Sequence, residues 1–423
     1  MKFSFLTALL LITCQGFSQT NPVGIFENHT DIGNPKNAGT TKYDAEAQVY
    51  NLRGSGFNIW FNRDEFQYAY KKINGDFILT GNFEFIGDKG NGHRKIGWMV
   101  RESTDEGAAS MNAVTHGDGL VVLQWREMRG AFMRDPQDEI FFPKKNLQVI
   151  QLERIAQKFI MRVAHPGEPL QEVGSHNMTD MPDSVIAGIY ICSHDSDKVE
   201  EAVVWNVRID KPAPNDYSPN PQIQRTLPRT QAVLGCRLET INVSNGKRKI
   251  VYESTGKFEA PNWMLDGKNL MFNEGGSLYK ISTKGGTPQK INTSVGKNKS
   301  GYVDSSESSP DGKYVYYHTN ATGTMQIWRM RANGSNKDQL TYDEYNNWFP
   351  HISPDGKWVA FISFPFDIDP NNYPSHKKAM LRVMPVGGGA PRVIAYLYGG
   401  EGTININPWS PDSKSLAFVS NSE

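Results

Sequence analysis

The sequence predicts an all-β protein in two parts, a sandwich followed by a β-propeller. Three observations carry this reading. A turn recurs through the second half, each copy followed by a short alternating strand; a hairpin unit interleaves with it; and the first half alternates apolar and polar residues with no sustained helical period.

The turn reads Leu265-Asp266-Gly267-Lys268, Pro310-Asp311-Gly312-Lys313, Pro354-Asp355-Gly356-Lys357 and Pro411-Asp412-Ser413-Lys414. Proline presets φ, aspartate hydrogen-bonds the backbone two residues on, and glycine accepts a left-handed conformation. Ser413 replaces that glycine, so the last copy is expected to be the most strained. Strand patterns follow at Leu270-Met271-Phe272, Tyr314-Val315-Tyr316-Tyr317, Trp358-Val359-Ala360-Phe361-Ile362 and Leu416-Ala417-Phe418-Val419. A strand-only period of about 45 to 55 residues points to propeller blades.

The interleaved units are Leu238–Ile241 before Asn245-Gly246, Leu278–Ile281 before Gly285-Gly286, Ile327–Met330 before Asn333-Gly334, and Leu381–Met384 before Gly388-Gly389. Asn-Gly and Gly-Gly are strong hairpin turns. The first unit lacks an upstream partner and the strand ending at Val419 lacks a downstream one, so the two are expected to complete one blade and hide both sheet edges.

Glu259-Ala260-Pro261-Asn262-Trp263, Met325–Met330, Gln339-Leu340-Thr341, Asn346–His351 and Pro408–Asp412 resemble the TolB-type propeller repeats of bacterial envelope proteins, over roughly residues 230–423. The resemblance implies a propeller, usually of six blades, and says little about activity. Four pairs are present, and further repeats are absent between Ile291 and Ser308. Either the ring closes with four blades or the propeller is shortened with a gap.

Composition excludes some functions. The 423 residues carry 45 Lys plus Arg against 45 Asp plus Glu, so no overall field draws nucleic acid or anionic lipid. His93-Arg94-Lys95 and Lys247-Arg248-Lys249 read as solvated turns. Residues 1–18 read as a signal peptide: Lys2, an apolar run from Phe3 to Ile12 too short to span a bilayer, then Gly16 and Ser18 before Gln19. A lipoprotein reading would use Leu11-Ile12-Thr13-Cys14. The expected location is periplasmic or secreted, with no transmembrane span after cleavage. Cys192 and Cys236 then remain, expected as two buried free thiols although the compartment permits a disulfide.

Residues 19–210 form the first domain, 211–224 a proline-rich linker and 225–423 the propeller. Alternation is plain in Asp76–Phe85, Ile96–Arg101, Leu120–Arg126 and Phe159–Val163. Phe57-Asn58-Ile59-Trp60 with Asp64-Glu65-Phe66, Gly97–Arg101, Ala187–His194 and Val203–Val207 resemble concanavalin-like (laminin-G-like) jelly rolls, over most of residues 23–210. That resemblance implies a curved sheet whose concave face often holds sugar. The Glu-x-Asp-x-(x)-Glu run of the glucanase members is absent, and Glu84–Asp88 fails on spacing.

Candidate ligand-binding residues in the first domain are Arg101, His116, Gln124, Arg126 and His194, polar groups on or beside apolar strands, with Trp98 and Trp125 as aromatic faces for a sugar ring. Asp118, Arg162 and His165 share the pattern. Each reads alternatively as a partner of a neighbouring loop, and the tryptophans as core. In the propeller, counting back from the turns places Glu259, Asp304, Trp348 and Asn405 in one channel row, and Asn262, Glu307, His351 and Pro408 in the next. These bind a ligand, or are polar because water fills the channel.

No cofactor motif occurs: there is no Gly-x-Ser-x-Gly, His-Glu-x-x-His, phosphate loop or Cys-x-x-Cys. A divalent cation is the one cofactor left open, at Asp64-Glu65 or at Asp135, Asp138 and Glu139; Asp367–Asn371 opens like a calcium loop and fails at Asn372 and Lys378. The expected function is non-enzymatic binding, with the jelly roll holding glycan and the propeller docking glycan or an envelope protein. The alternative is a polysaccharide lyase or glycoside hydrolase using the channel, because some sugar lyases have propellers of similar repeats; Glu259, Asp304 or Glu307 would supply its carboxylates.

Overall fold

The computed structural model describes residues 21–87, 90–134, 136–212, 236–241, 248–254, 258–264, 266–293, 301–374 and 376–420. The signal-peptide and lipoprotein readings, and the linker beyond Pro212, lie outside them. Every regular element among the described residues is a β-strand, and no helix is long and apolar enough to cross a membrane. The chain divides into two compact units. One comprises the residues up to Asn74 with Phe83–Lys145 and Met178–Trp205; the other comprises Gly75–Asn82, Asn146–Asn177 and the residues from Asn206 on.

In chain order the first fourteen strands are β1 (Asn28–Ile32), β2 (Thr40–Asp44), β3 (Val49–Gly56), β4 (Phe66–Asn74), β5 (Phe77–Phe85), β6 (Lys95–Arg101), β7 (Ser110–His116), β8 (Val121–Arg126), β9 (Glu139–Phe141), β10 (Val149–Ile155), β11 (Lys158–Ala164), β12 (Gln171–Asn177), β13 (Ser184–Cys192) and β14 (Asp195–Asp210). In the first unit, seven form an antiparallel sheet in the order β1-β4-β13-β6-β7-β8-β9, while β2 pairs with β3 and β3 with β14.

Register fixes the two faces of the seven-stranded sheet. Lys95 lies opposite His116, and Met99 opposite Asn112, which lies opposite Gln124; Trp98 lies opposite Ala113, itself opposite Leu123. Side chains alternate along a strand, so Lys95, Met99, Arg101, Asn112, His116, Gln124 and Arg126 share one face, and Trp98, Leu123 and Trp125 the other. On the first face Tyr68, Met99, Val114, Val122 and Tyr190 pack with Ile59 and Phe66. On the second, Trp98 is fully buried with its ring edge-on to Phe83 at 5.7 Å.

In the second unit β5, β10, β11 and β12 pair in that order. The repeats follow as β15 (Cys236–Ile241), β16 (Arg248–Ser254), β17 (Phe258–Trp263), β18 (Asn269–Glu274), β19 (Ser277–Ser282), β20 (Gln289–Lys290), β21 (Val303–Ser308), β22 (Tyr314–Thr319), β23 (Gln326–Arg331), β24 (Asp338–Gln339), β25 (Asn346–Ile352), β26 (Trp358–Phe364), β27 (Lys377–Pro385) and β28 (Arg392–Gly399). Among the described residues β15 and β16 pair only with each other, and β17–β20, β21–β24 and β25–β28 are four-stranded sheets in sequence order. Buried Glu153 on β10 joins these elements, accepting from Arg162 Nη1 at 2.6 Å and Lys378 Nζ at 2.7 Å. Burial pushes its carboxyl up, but Lys378 and Arg162 outweigh that and hold it below its ordinary value.

The turns form as their residues dictate. Asp266, Asp311, Asp355 and Asp412 each accept from the backbone N–H two residues on, at 2.8, 3.1, 3.1 and 3.2 Å. Gly267, Gly312 and Gly356 have φ of 63°, 70° and 69°, and Ser413 takes the same left-handed backbone at 61° with a side chain to accommodate. Space is open around Gly356, where an added Cβ meets nothing within 4 Å. Gly356→Ala is therefore expected to cost about 1–2 kcal/mol through backbone strain alone, read by thermal or urea unfolding.

The expected closing pair is not formed. Strand β15 pairs with β16, whereas Leu416 makes a single bridge to Trp409 and residues 416–419 are not a strand. Ala417 N donates instead to Pro408 O at 2.9 Å and Val419 N to Thr403 O at 3.2 Å. Phe418 and Val419 are 38% and 60% exposed, without the buried alternation a central strand needs.

Candidate functional site

The first unit holds a cleft of about 310 Å³ where β6 begins, β7 ends and β13 turns into β14. Lys95 and His116 form its floor as cross-strand partners, and Gln124 on β8 faces Glu139 on β9, its Nε2 donating to Glu139 Oε2 at 3.1 Å. Asn58, Trp60, His93 and His194 line the rim with Leu120 and Phe141.

Among the described residues, several polar atoms at this floor have no hydrogen-bond partner. His116 is 6% exposed and neither ring nitrogen has a hydrogen bond; Gln124 Oε1 is likewise buried and unpaired, as are the amide of Asn112 and the hydroxyl of Tyr190 on the same face. Buried polar groups are nearly always paired, so such a set beside an open cleft is suited to a ligand. Burial, then the charge of Lys95, hold the His116 imidazole well below its ordinary value. The same two causes bring His194 down to about 4, with His93 adding to them. Both rings are neutral at pH 7. His194 sits in the β13–β14 turn at φ 55°, a strained backbone for a side chain of this size.

The three imidazoles crowd together, with the His93 ring centroid 6.0 Å from that of His116 and 5.3 Å from that of His194. Even so, no group of three His, Cys, Asp or Glu among the described residues could hold a metal ion. The suggested acidic sites have other partners: Asp138 pairs with Arg134 at 2.6 Å, and Asp64 binds two arginines; Asp135 lies outside the described residues.

Four expected ligand groups are structural. Trp98 and Trp125 point away from Gln124 and Arg126, and Trp98 is core. Arg101 and Arg126 are fully buried around Asp64, with Arg101 Nη1 at 2.5 Å from Oδ2 and Arg126 Nη2 at 2.6 Å from Oδ1. Arg126 also donates to Phe61 O, Ala108 O and Ala131 O, and Arg101 to Ser103 O and Asp105 O. Together they clamp three loops, including the one that carries Asn58 and Trp60 into the cleft.

His116, Gln124 and His194 do line one cleft. Trp60, His93, Lys95 and Phe141 join them from outside the expected set. His93-Arg94-Lys95 is not a solvated turn: Arg94 and Lys95 are 4% and 3% exposed, and Arg94 pairs with Glu200 at 2.5 Å. The available signal was Lys95 leading directly into the apolar run Ile96–Val100. Cys192 is a buried free thiol, as expected, and burial pushes it up to about 11.

Two residues expected to line a channel, His351 and Glu307, bond to each other. His351 Nδ1 lies 2.8 Å from Glu307 Oε2 and its Nε2 2.6 Å from Ile404 O, while Glu307 Oε1 accepts from Asn407 Nδ2 at 2.6 Å and Ile352 N at 3.2 Å. Trp348 is buried against Phe364 and Tyr373, each at 5.5 Å. These contacts sew β21 and β25 to residues 404–407. The side chains of Glu259 and Asp304 lie outside what is described.

Residues 235–367 match the family described as TolB beta propeller domain. The repeat region is TolB-like. An uncharacterized protein of Agrobacterium fabrum is 28% identical over 268 aligned positions, covering 43% of this chain and 91% of its own length. Among solved structures, a putative TolB from Agrobacterium tumefaciens is 26% identical over 43% of this chain and 96% of its own, with a TM-score of 0.28. TolB from Acinetobacter baumannii is 14% identical over 76% of this chain and 56% of its own, with a TM-score of 0.34.

Proposed function

We propose that this protein is an exported, non-enzymatic binding protein that holds a glycan in the cleft of its first seven-stranded sheet, within a concanavalin-like jelly roll. The observation that carries this reading is the pairing of buried, unpartnered polar atoms on His116 and Gln124 with the apolar rim of Trp60 and Phe141. A sugar ring offers hydroxyls that donate and accept, and apolar faces that lie against aromatic rings. The TolB-like repeats support a binding or scaffold role and act as the platform that docks the protein to an envelope partner, in the periplasm or outside the cell.

The channel alternative, a lyase or hydrolase, has weaker support, because both oxygens of Glu307 are engaged by His351, Asn407 and Ile352. A glycan array read for retention and for cleavage products tests both readings. His116→Ala and Gln124→Ala are each expected to weaken retention about tenfold, since a lost hydrogen bond in a desolvated site costs about 1–3 kcal/mol. Tyr342→Ala, at a 77% exposed position in the repeats, is expected to change nothing. Product formation lost on Glu307→Gln would favour the enzyme, and unchanged retention in both cleft variants would refute the cleft.

A further inference from the structure

We propose, building on the glycan reading of this cleft, that its ligand is an acidic saccharide whose carboxylate pairs with Lys95. The cation is buried at 3% exposure, and its hydrogen-bonding contacts among the described residues are all neutral: His93 O at 3.0 Å, Asn58 Oδ1 at 3.5 Å and His194 Nδ1 at 3.5 Å. The other buried cations of this unit each have a carboxylate. Arg94 has Glu200, while Arg101 and Arg126 share Asp64. A buried charge without a counter-charge is costly, and sites that keep one serve a partner that brings the opposite charge.

The groups facing this position leave the role to the ligand. From the loop before β6 comes His93, from β7 His116 with Asp118 beyond it, from β9 Glu139, from the end of β13 Cys192, from the β13–β14 turn His194, and from the start of β14 Asp195. Glu139 is the carboxylate nearest in effect, and its Oε2 already takes the Gln124 amide. Burial lowers Lys95, with Cys192 and Glu139 opposing, and it lowers His116 and His194 as well. An arriving carboxylate raises all three groups. Binding then takes up protons, and affinity rises as the pH falls from neutral toward about 4, where His194 itself charges. His116 and Gln124 meet hydroxyls of the same ring, while Trp60 and Phe141 flank it.

Calorimetry on the full chain tests this with glucuronate- and galacturonate-based tetrasaccharides, the same tetrasaccharides carboxyl-reduced to neutral sugars, and sodium acetate. At least one uronate is expected to bind ten or more times tighter than its reduced form, with net proton uptake read from buffers of different ionisation enthalpy. Lys95→Met is expected to erase that preference, and His116→Ala to weaken uronate and reduced sugar together. Equal binding of reduced and acidic sugars would overturn the acidic class and leave the glycan reading standing. No binding of any sugar would overturn both. Acetate competing as well as the tetrasaccharide, or a uronate preference surviving Lys95→Met, would overturn the proposal.

Discussion

Asp64→Ala is expected to destabilise the protein by about 3–5 kcal/mol, the usual result of removing one partner from a buried ion pair. Asp64 is 1% exposed and is the shared acceptor of two arginines with no exposure at all. Without it, two guanidinium groups remain buried with no counter-charge, left to backbone carbonyls and, for Arg101, the Met99 thioether at 3.4 Å. Those carbonyls belong to three loops, so all three loosen together, and Asn58 and Trp60 lose their place in the cleft. Thermal unfolding of the full chain checks the magnitude. Asp64→Asn is expected to fall between the parent and alanine, because it keeps an acceptor but loses the charge. Asp197→Ala, on the exposed pair with Lys36, is expected to leave the transition unmoved. An Asp64→Ala protein that melts with the parent would show that the two arginines find other acceptors.

The repeat turns were legible because their chemistry is local. Aspartate bonding two residues on and a left-handed residue at φ 61–70°, glycine in three turns and Ser413 in the fourth, need no distant partner, so four copies in the sequence become four copies in the structure. Blade closure depends on which edge another segment reaches, which no local signal encodes; residues 416–419 carry a strand-like pattern yet bond back to Pro408 and Thr403. The cleft was half legible. His116 and Gln124 stood out as polar residues on apolar strands, and they line it. Alternation also separates Trp125 from its neighbours Gln124 and Arg126, and Trp98 from Arg101; applied strictly, period two removes both tryptophans from a polar face. Arg101 and Arg126 needed knowledge of the loop that brings Asp64 to them. Lys95 was missed because a basic triplet reads as a solvated turn when nothing reveals that the strand begins one residue sooner.

Lys95→Met is expected to raise stability by about 1–3 kcal/mol while removing the uronate preference. An apolar side chain of similar length in place of a buried charge without an ion-pair partner is often stabilising, and here the gain is offset by the lost bond to His93 O and the longer contacts to Asn58 Oδ1 and His194 Nδ1. The pH dependence distinguishes this cause from simple repacking. Burial depresses Lys95 below its ordinary 10.5, so at every pH below that lowered value the folded parent holds the charged form and carries its full cost. The advantage of methionine is thus largest below that lowered value and shrinks as the pH rises from it toward 10.5. On the acid side the parent carries a second dependence. His194 titrates at about 4 when folded and at 6.5 otherwise, so the unfolded chain binds its proton first and stability falls as the pH drops from 6.5 toward about 4. Lys95 is one cause of that depression, after burial and ahead of His93, so the methionine variant is expected to lose stability less steeply over the same range. Melting temperatures from pH 4 to 10 for parent and variant read both limbs. A variant less stable than the parent at pH 7 would mean that Lys95 is held by its neighbours as a structural cation and is not kept charged for a ligand, and an advantage that is the same at every pH would mean that methionine simply packs better there.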